Sequence, residues 1–361
     1  MAARLKDSYN QAYIAKLAEQ VLSVYPGFCC AAFQASIFDN KWSDKALKAR
    51  MGTITQALHQ FLPEKFQQSV HILQQIAPQF SGYEALFFPD FVEKYGLDNY
   101  QSSVQALAYL TRYASAEFAV RAFIVKYPQK MMAQLFIWSQ SENEHLRRLA
   151  SEGCRPRLPW AVALSEFKKN PQAVLIILEQ LKNDPSEYVR RSVANNLNDI
   201  SKDNPDIVIK VAKNWLLQKA HTDINRQRLV KHACRSLLKQ ANPTVLSLFA
   251  FNIRKDIKIS AFTVDKEITI GDKLSFSFAL TSNKKLGKLR IEFAIDFMKK
   301  NGRLADKIFH LSESTLNITH KKMAKKFDFK IISTRKYYSG KHYLTIIING
   351  QAVAKEAFIL K

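Results

Sequence analysis

Glu187-Tyr188-Val189-Arg190-Arg191-Ser192-Val193-Ala194-Asn195-Asn196-Leu197 decides the reading of the first two thirds of this chain. Its opening pattern occurs 43 residues earlier as Glu144-His145-Leu146-Arg147-Arg148. A weaker echo, Arg228-Leu229-Val230-Lys231-His232-Ala233, follows about 40 residues later. A recurrence at this period marks units of two helices, each of which buries its apolar face only by stacking on its neighbours. Such a stack curves, and one layer of helices lines the inner wall.

Working outward, helical spacing dominates the chain up to about residue 250. Ile14, Leu17, Val21 and Leu22 form one apolar stripe; Leu47, Met51, Ile54 and Leu58 form a second; Val104, Leu107, Ala108 and Leu110 form a third. Further helices are expected over 115–127, 129–140, 142–152, 159–169, 171–182, 185–197, 204–218 and 223–240. The breaks between them are short, as at Tyr127-Pro128, Asn170-Pro171, Asp184-Pro185 and Asn204-Pro205, which implies antiparallel neighbours. The expected fold is mainly α: a HEAT-like α-solenoid over residues 1–252. After residue 255 the period changes to two. Leu274, Phe276, Phe278 and Leu280 alternate with Ser275, Ser277 and Ala279, and Leu289 to Phe297 repeat the pattern. Further strands are expected over 307–311, 326–332, 342–348 and 353–360. Asn301-Gly302 and Asn349-Gly350 read as two-residue hairpin turns. Six or seven short strands predict an Ig-like β-sandwich over residues 256–361, although no Cys-Trp-Cys pattern is present.

The charge narrows the partner. Lys plus Arg outnumber Asp plus Glu by 54 to 31, a formal +23, which suits a polyanion, most often nucleic acid. Residues 251–361 hold 23 Lys or Arg and 10 Asp or Glu, or +13 of that total. The β-domain is the denser cation and is expected to touch DNA phosphates through its basic stretches, such as Lys321-Lys322-Met323-Ala324-Lys325-Lys326. The cysteines Cys29, Cys30, Cys154 and Cys234 make no CxxC pair, as in a reduced cytoplasmic protein. No signal-like apolar run opens the chain, and the apolar patch around Val21 to Phe38 is interrupted by Pro26, Gly27, Gln34 and Ser36, so no membrane partner is expected. Phosphate-cradling glycine loops, HExxH or Cys/His metal clusters and a GxSxG elbow are all missing. No cofactor and no metal are expected.

The most specific string is Leu146-Arg147-Arg148-Leu149-Ala150-Ser151-Glu152-Gly153-Cys154-Arg155-Pro156-Arg157-Leu158-Pro159-Trp160. It sets a carboxylate and an indole among arginines. With Leu5-Lys6-Asp7-Ser8-Tyr9-Asn10, Leu47-Lys48-Ala49-Arg50-Met51 and the stretch from Tyr188 to Asp199, it resembles the AlkC family of bacterial DNA alkylation-repair glycosylases, relatives of AlkD in the HEAT-like superfamily. The resemblance covers the whole helical region, and an appended Ig-like domain occurs in some AlkC-type proteins. It implies a monofunctional glycosylase of base excision repair. Such an enzyme removes N3-alkylated bases, chiefly 3-methyladenine and 3-methylcytosine, from duplex DNA without metal or lyase lysine. No obligate protein partner is implied, and a monomer is expected. A catalytically silent HEAT-repeat DNA-binding protein and a protein-interaction scaffold are the rival readings.

The residue chemistry fits that implication. N3-alkylation makes the base cationic, and glycosidic cleavage builds positive charge on the sugar, so negative charge is needed beside the anomeric carbon. Glu152 is expected to be the central carboxylate, with Asp199 and Glu117, each about one repeat away, as partners. Trp160 is expected to stack on the lesion or its sugar. Arg148, Arg155, Arg157, Arg190 and Arg191 are expected to hold DNA phosphates.

Overall fold

The computed structural model describes residues 5–217, 223–331 and 335–361. Helices run in chain order as α1 (Gln11–Val24), α2 (Cys30–Ile37), α3 (Leu47–Phe61), α4 (Phe66–Ile76), α5 (Phe87–Tyr95) and α6 (Tyr100–Leu110). They continue as α7 (Val120–Lys126), α8 (Pro128–Ser139), α9 (Glu144–Gly153), α10 (Ser165–Lys169), α11 (Gln172–Leu181) and α12 (Glu187–Ile200). The last are α13 (Pro205–Leu217), α14 (Ile224–Ala233), α15 (Arg235–Lys239) and α16 (Pro243–Leu248). The chain divides into two compact units: Met1–Val208 with Trp215–Ala233, and Ile209–Asn214 with Cys234–Lys361.

In the first unit the helices form two rows. One row contains α3 against α5, α5 against α7, α9 against α12 and α12 against α14; the other includes α4 against α6 and α8 against α11. The repeated pattern shows why. In α12, Val189, Val193, Ala194, Leu197 and Ile200 are all buried, so the helix is held by neighbours on both sides. Arg147 and Arg190 occupy equivalent positions and do the same work. Arg147 donates to Ser141 O and Glu142 O at 3.0 and 2.7 Å, and Arg190 to Asp184 O and Pro185 O at 2.6 and 2.7 Å. Each ties down the loop that starts its own helix. The N-terminal caps follow the same logic: Asn10 accepts from Tyr13 N at 3.0 Å and Asn143 from His145 N at 2.9 Å.

Several expected elements differ. The helix expected over 159–169 is only α10, because residues 159–164 are held in a non-helical loop described below. The 115–127 segment begins as turns, with α7 starting at Val120. The 223–240 segment is broken between α14 and α15 at Cys234. Gln218 and Ile332, at the ends of two expected elements, lie outside the described residues.

The second unit carries β1 (Lys258–Val264), β2 (Glu267–Ile268), β3 (Lys273–Thr281), β4 (Gly287–Met298), β5 (Leu304–Leu316), β6 (His320–Asp328), β7 (Gly340–Ile348) and β8 (Gln351–Leu360). They form an Ig-like pair of sheets, ordered β1-β3-β6 and β2-β8-β7-β4-β5. All pairings are antiparallel except β2 with β8. The alternating residues of β3 and β4 meet between the sheets, where the rings of Phe276 and Phe293 lie 5.1 Å apart, and those of Phe309 of β5 and Phe327 of β6 lie 4.8 Å apart. Phe276 and Phe293 are buried, and each such side chain contributes roughly 1.5–3 kcal/mol.

Asn349 and Gly350, with φ of 46° and 80°, make the expected two-residue turn, and Ile348 pairs with Gln351. Asn301-Gly302 does not. It sits in a longer loop closed by Lys299 N donating to Arg303 O at 2.9 Å. The Asn301 side chain accepts from Arg303 N at 3.2 Å, and only Gly302 takes positive φ, 74°.

Candidate active site

The site is assembled around the end of α9. Gly153 closes that helix where a Cβ would meet Val120 Cγ2 of α7 at 2.5 Å, so α7 and α9 approach closely only because no side chain intervenes. Cys154 is fully buried, and burial pushes its thiol up to about 12, which makes it an inert packing group. The chain then turns through Pro156 and Pro159. Arg121 of α7 holds the loop from beneath. Its Nη1 donates to Gly153 O and Arg155 O at 3.0 and 2.8 Å, and its Nε and Nη2 donate to Val162 O at 2.9 and 2.5 Å. Lys48 Nζ donates to Trp160 O. With its carbonyls held this way, the loop cannot close the backbone bonds of a helix, and Trp160 takes a left-handed φ of 65°. The residue is 67% exposed.

Three carboxylates and two guanidinium groups alternate along a buried line. Arg148 pairs with Glu117 Oε2 and, at 3.5 Å, with Glu152 Oε1. Arg155 Nη1 lies 2.6 Å from Glu152 Oε1, and its Nε 2.8 Å from Asp199 Oδ2. Ser192 Oγ donates to the other Glu152 oxygen at 2.6 Å, and Ser151 Oγ lies 2.6 Å from Ser192 Oγ. The residues come from the turn before α7, from α9 and the loop after it, and from α12. Glu152 is 5% exposed and Asp199 2%. Lys202, on the solvent side, reaches the second Asp199 oxygen at 3.1 Å. Burial opposes the charge on Arg148, yet Glu117 and then Glu152 outweigh it and hold the guanidinium above its ordinary value. Arg155 behaves alike, burial being outweighed by Glu152 and Asp199. Within the enclosed line three carboxylates face two guanidinium groups, and the partly exposed Lys202 supplies a third positive charge at the Asp199 end.

The structure thus brings Glu117, Glu152 and Asp199 together, as the spacing of the repeats suggested. It changes the reading of the arginines. Arg148 and Arg155 turn their guanidinium groups to carboxylates, and Arg190 turns its group to loop carbonyls. Arg157 makes a bidentate pair with Asp203 at 2.8 and 2.6 Å. Among the described residues, Arg191 alone of the five is exposed with no bonded partner. Ser115, Arg121, Tyr188 and Ser192 escaped sequence reasoning. Ser115 accepts from Arg148 at 2.5 Å, and the Tyr188 ring lies 5.2 Å from the Arg148 guanidinium. The repeat register carried one usable signal: Arg148 and Arg191 follow the loop-tying arginines 147 and 190, so they face elsewhere.

Among the described residues no group of three or more His, Cys, Asp or Glu could hold a metal ion, and no helix is long and apolar enough to cross a membrane. A family model described as "DNA alkylation repair enzyme" matches residues 98–240. Another, described as "Uncharacterised protein YhaZ, C-terminal Ig-like domain", matches residues 258–361. The uncharacterized protein YhaZ of Bacillus subtilis (strain 168) is 43% identical over 351 residues, 97% of each chain. The structure is similar to that of Pseudomonas fluorescens alkylpurine DNA glycosylase AlkC, solved bound to DNA containing an abasic site analog. The TM-score is 0.94 and the identity 35%, over 99% of this chain and 100% of that one. With identity of this level across both units, the chain belongs to the AlkC-type family of DNA alkylation-repair glycosylases.

Proposed function

We propose that this protein is a monofunctional DNA glycosylase that hydrolyses the N-glycosidic bond of cationic N3-alkylated bases, 3-methyladenine and 3-methylcytosine, in duplex DNA. The observation that carries the reading is the buried Glu117–Arg148–Glu152–Arg155–Asp199 line, in which three carboxylates are held in place by two guanidinium groups. In the reaction the bond from C1′ to the base nitrogen breaks, and its electron pair neutralises the base. The sugar takes up the positive charge. Water then adds to C1′ and passes its proton to solvent. Glu152, held by Arg155 and Ser192, has little freedom to reorient, so its field at the sugar is preorganised. Arg148 and Arg155 act here by fixing the carboxylates. Trp160, an exposed residue beside the line, suits stacking on the lesion or its sugar. The nitrogen groups within the line are guanidinium groups, which do not form imines with an abasic aldehyde, and Lys202 is engaged by Asp199.

The test is incubation of the full-length protein with methylated duplex DNA, followed by identification of free bases and borohydride treatment. Free 3-methyladenine and 3-methylcytosine with no trapped protein–DNA adduct are expected. Release of neither base rejects the reading, and a trapped adduct rejects its monofunctional aspect.

Duplex DNA as partner, bound by a cytoplasmic monomer, belongs to the same proposal. Phosphate contact is assigned to Arg191 and to the partly exposed edge of Arg157. Arg191→Ala is expected to weaken binding evenly across sequences and to reduce the salt slope by about 1. Lys322, Lys325 and Lys326 stand exposed on β6, an edge strand. Their replacement by Gln is expected to reduce the slope by roughly 2–3; an unchanged slope would mean that this strand faces away from DNA.

A further inference from the structure

A cleft of about 580 Å³ opens between α3, α5, α7 and the Trp160 loop, a size usual for small-molecule sites. Its walls are mostly apolar and aromatic, with Trp160, Phe118, Met51, Leu86 and Val125 among them. It adjoins the carboxylate line at two points. Phe118 follows Glu117 directly, and Arg121 lines the cleft while its guanidinium holds the carbonyls of Gly153 and Arg155.

Six charged side chains line this cleft, and five are already engaged. Asp90 pairs with Lys94 at 2.7 Å and accepts from Thr55 at 2.6 Å. Lys126 pairs with Asp98, Lys48 donates to Trp160 O, and Arg121 donates to loop carbonyls. The sixth is Glu93 of α5, half-buried, which makes no hydrogen bond or ion pair among the described residues. A carboxyl group without a partner on an apolar, aromatic wall is costly unless it meets a ligand.

We propose that this cleft captures the free adenine-type base that leaves the carboxylate line, with Glu93 on its hydrogen-bonding edge and Phe118 and Trp160 against its faces. This rests on the glycosylase reading above. Once the glycosidic electron pair has moved onto the base, 3-methyladenine is flat and neutral. It presents an amine donor beside a ring-nitrogen acceptor. A protonated carboxyl group offers the complementary pair, O–H to the ring nitrogen and C=O to the amine. Burial, with a smaller contribution from Asp90, pushes Glu93 up to about 7, against the opposing pull of Lys94, Lys48 and Arg121. Near neutrality a large share of the molecules therefore carries the required proton. Capture would clear the base from the sugar and delay its return.

The test is calorimetric titration of the full-length protein, without DNA, with 3-methyladenine. Saturable one-to-one binding is expected, weakening as pH rises through about 7, where the carboxyl loses its proton. Glu93→Ala and Phe118→Ala are each expected to lower affinity about tenfold or more. Glu93→Gln keeps a donor beside an acceptor, so it should retain affinity and lose the pH dependence. Circular dichroism confirms that each variant is folded, and Glu93→Gln keeps the test valid if Glu93→Ala is not. Binding unchanged in Glu93→Ala and Phe118→Ala places the base elsewhere and overturns the proposal. So does an absence of saturable binding in a preparation that releases 3-methyladenine from methylated DNA, which leaves the glycosylase reading intact. A preparation that neither binds nor releases the base rejects both.

Discussion

Glu152→Gln is expected to slow base release by about 10²–10³-fold while leaving duplex affinity close to that of the unsubstituted protein. The substitution preserves shape. A glutamine oxygen can still accept from Arg155, and its amide can donate to the Ser192 hydroxyl in place of the present bond, so the loop and helix packing are kept. It removes the negative charge at the centre of the enclosed line. A cationic base in the ground state is held mainly by DNA, so binding changes little. The sugar cation forms only on the way through the reaction, so the loss falls on the rate. Single-turnover release from methylated duplex at saturating protein measures that step alone, and near-normal release would remove Glu152 from its assigned role.

Arg155→Ala addresses the architecture of the same line. It leaves Glu152 and Asp199, 5% and 2% exposed, without their shared counter-ion. Removing one partner of a buried pair costs roughly 3–5 kcal/mol; the cations left are Arg148, 3.5 Å from Glu152, and the partly exposed Lys202, 3.1 Å from Asp199. Urea unfolding followed by far-ultraviolet circular dichroism should show the earlier transition; with two compact units, the helical unit must be read separately. Adding Glu152→Gln and Asp199→Asn to Arg155→Ala should restore much of the loss, because no buried charge then lacks a partner. A cost of only about 1 kcal/mol, typical of an exposed pair, would mean that water already reaches this line.

Much of the fold can be read from the chain because its cues are local. The arginine pairs 147–148 and 190–191 mark the repeat, and the first of each pair ties its own loop. Asn349-Gly350 supplies the two positive φ angles that its hairpin requires, and the alternation in β3 and β4 shows which side chains enter the sandwich. α5 escapes such reading for an equally local reason. Phe87, Phe88, Pro89, Phe91 and Val92 are all buried, and the polar residues at helical spacing are confined to Asp90, Glu93 and Lys94 in a helix of nine residues, too short to repeat its period. The error over residues 159–164 has a non-local cause: Arg121 and Lys48, 41 and 112 residues away from the carbonyls they bind, hold that loop out of a helix.

The sequence by itself determined the two kinds of architecture and the excess of positive charge, because periodicity and composition are properties of the chain, and its resemblance to the AlkC family pointed to the three acidic positions. Only the tertiary structure decided how those acids are held. Residues from the α7 turn, α9 and α12 meet only when the helices stack, and at that point Arg148 and Arg155 become counter-ions to carboxylates. Partner choice for a charged side chain depends on distance and burial in three dimensions, and neither is encoded by the residues next to it.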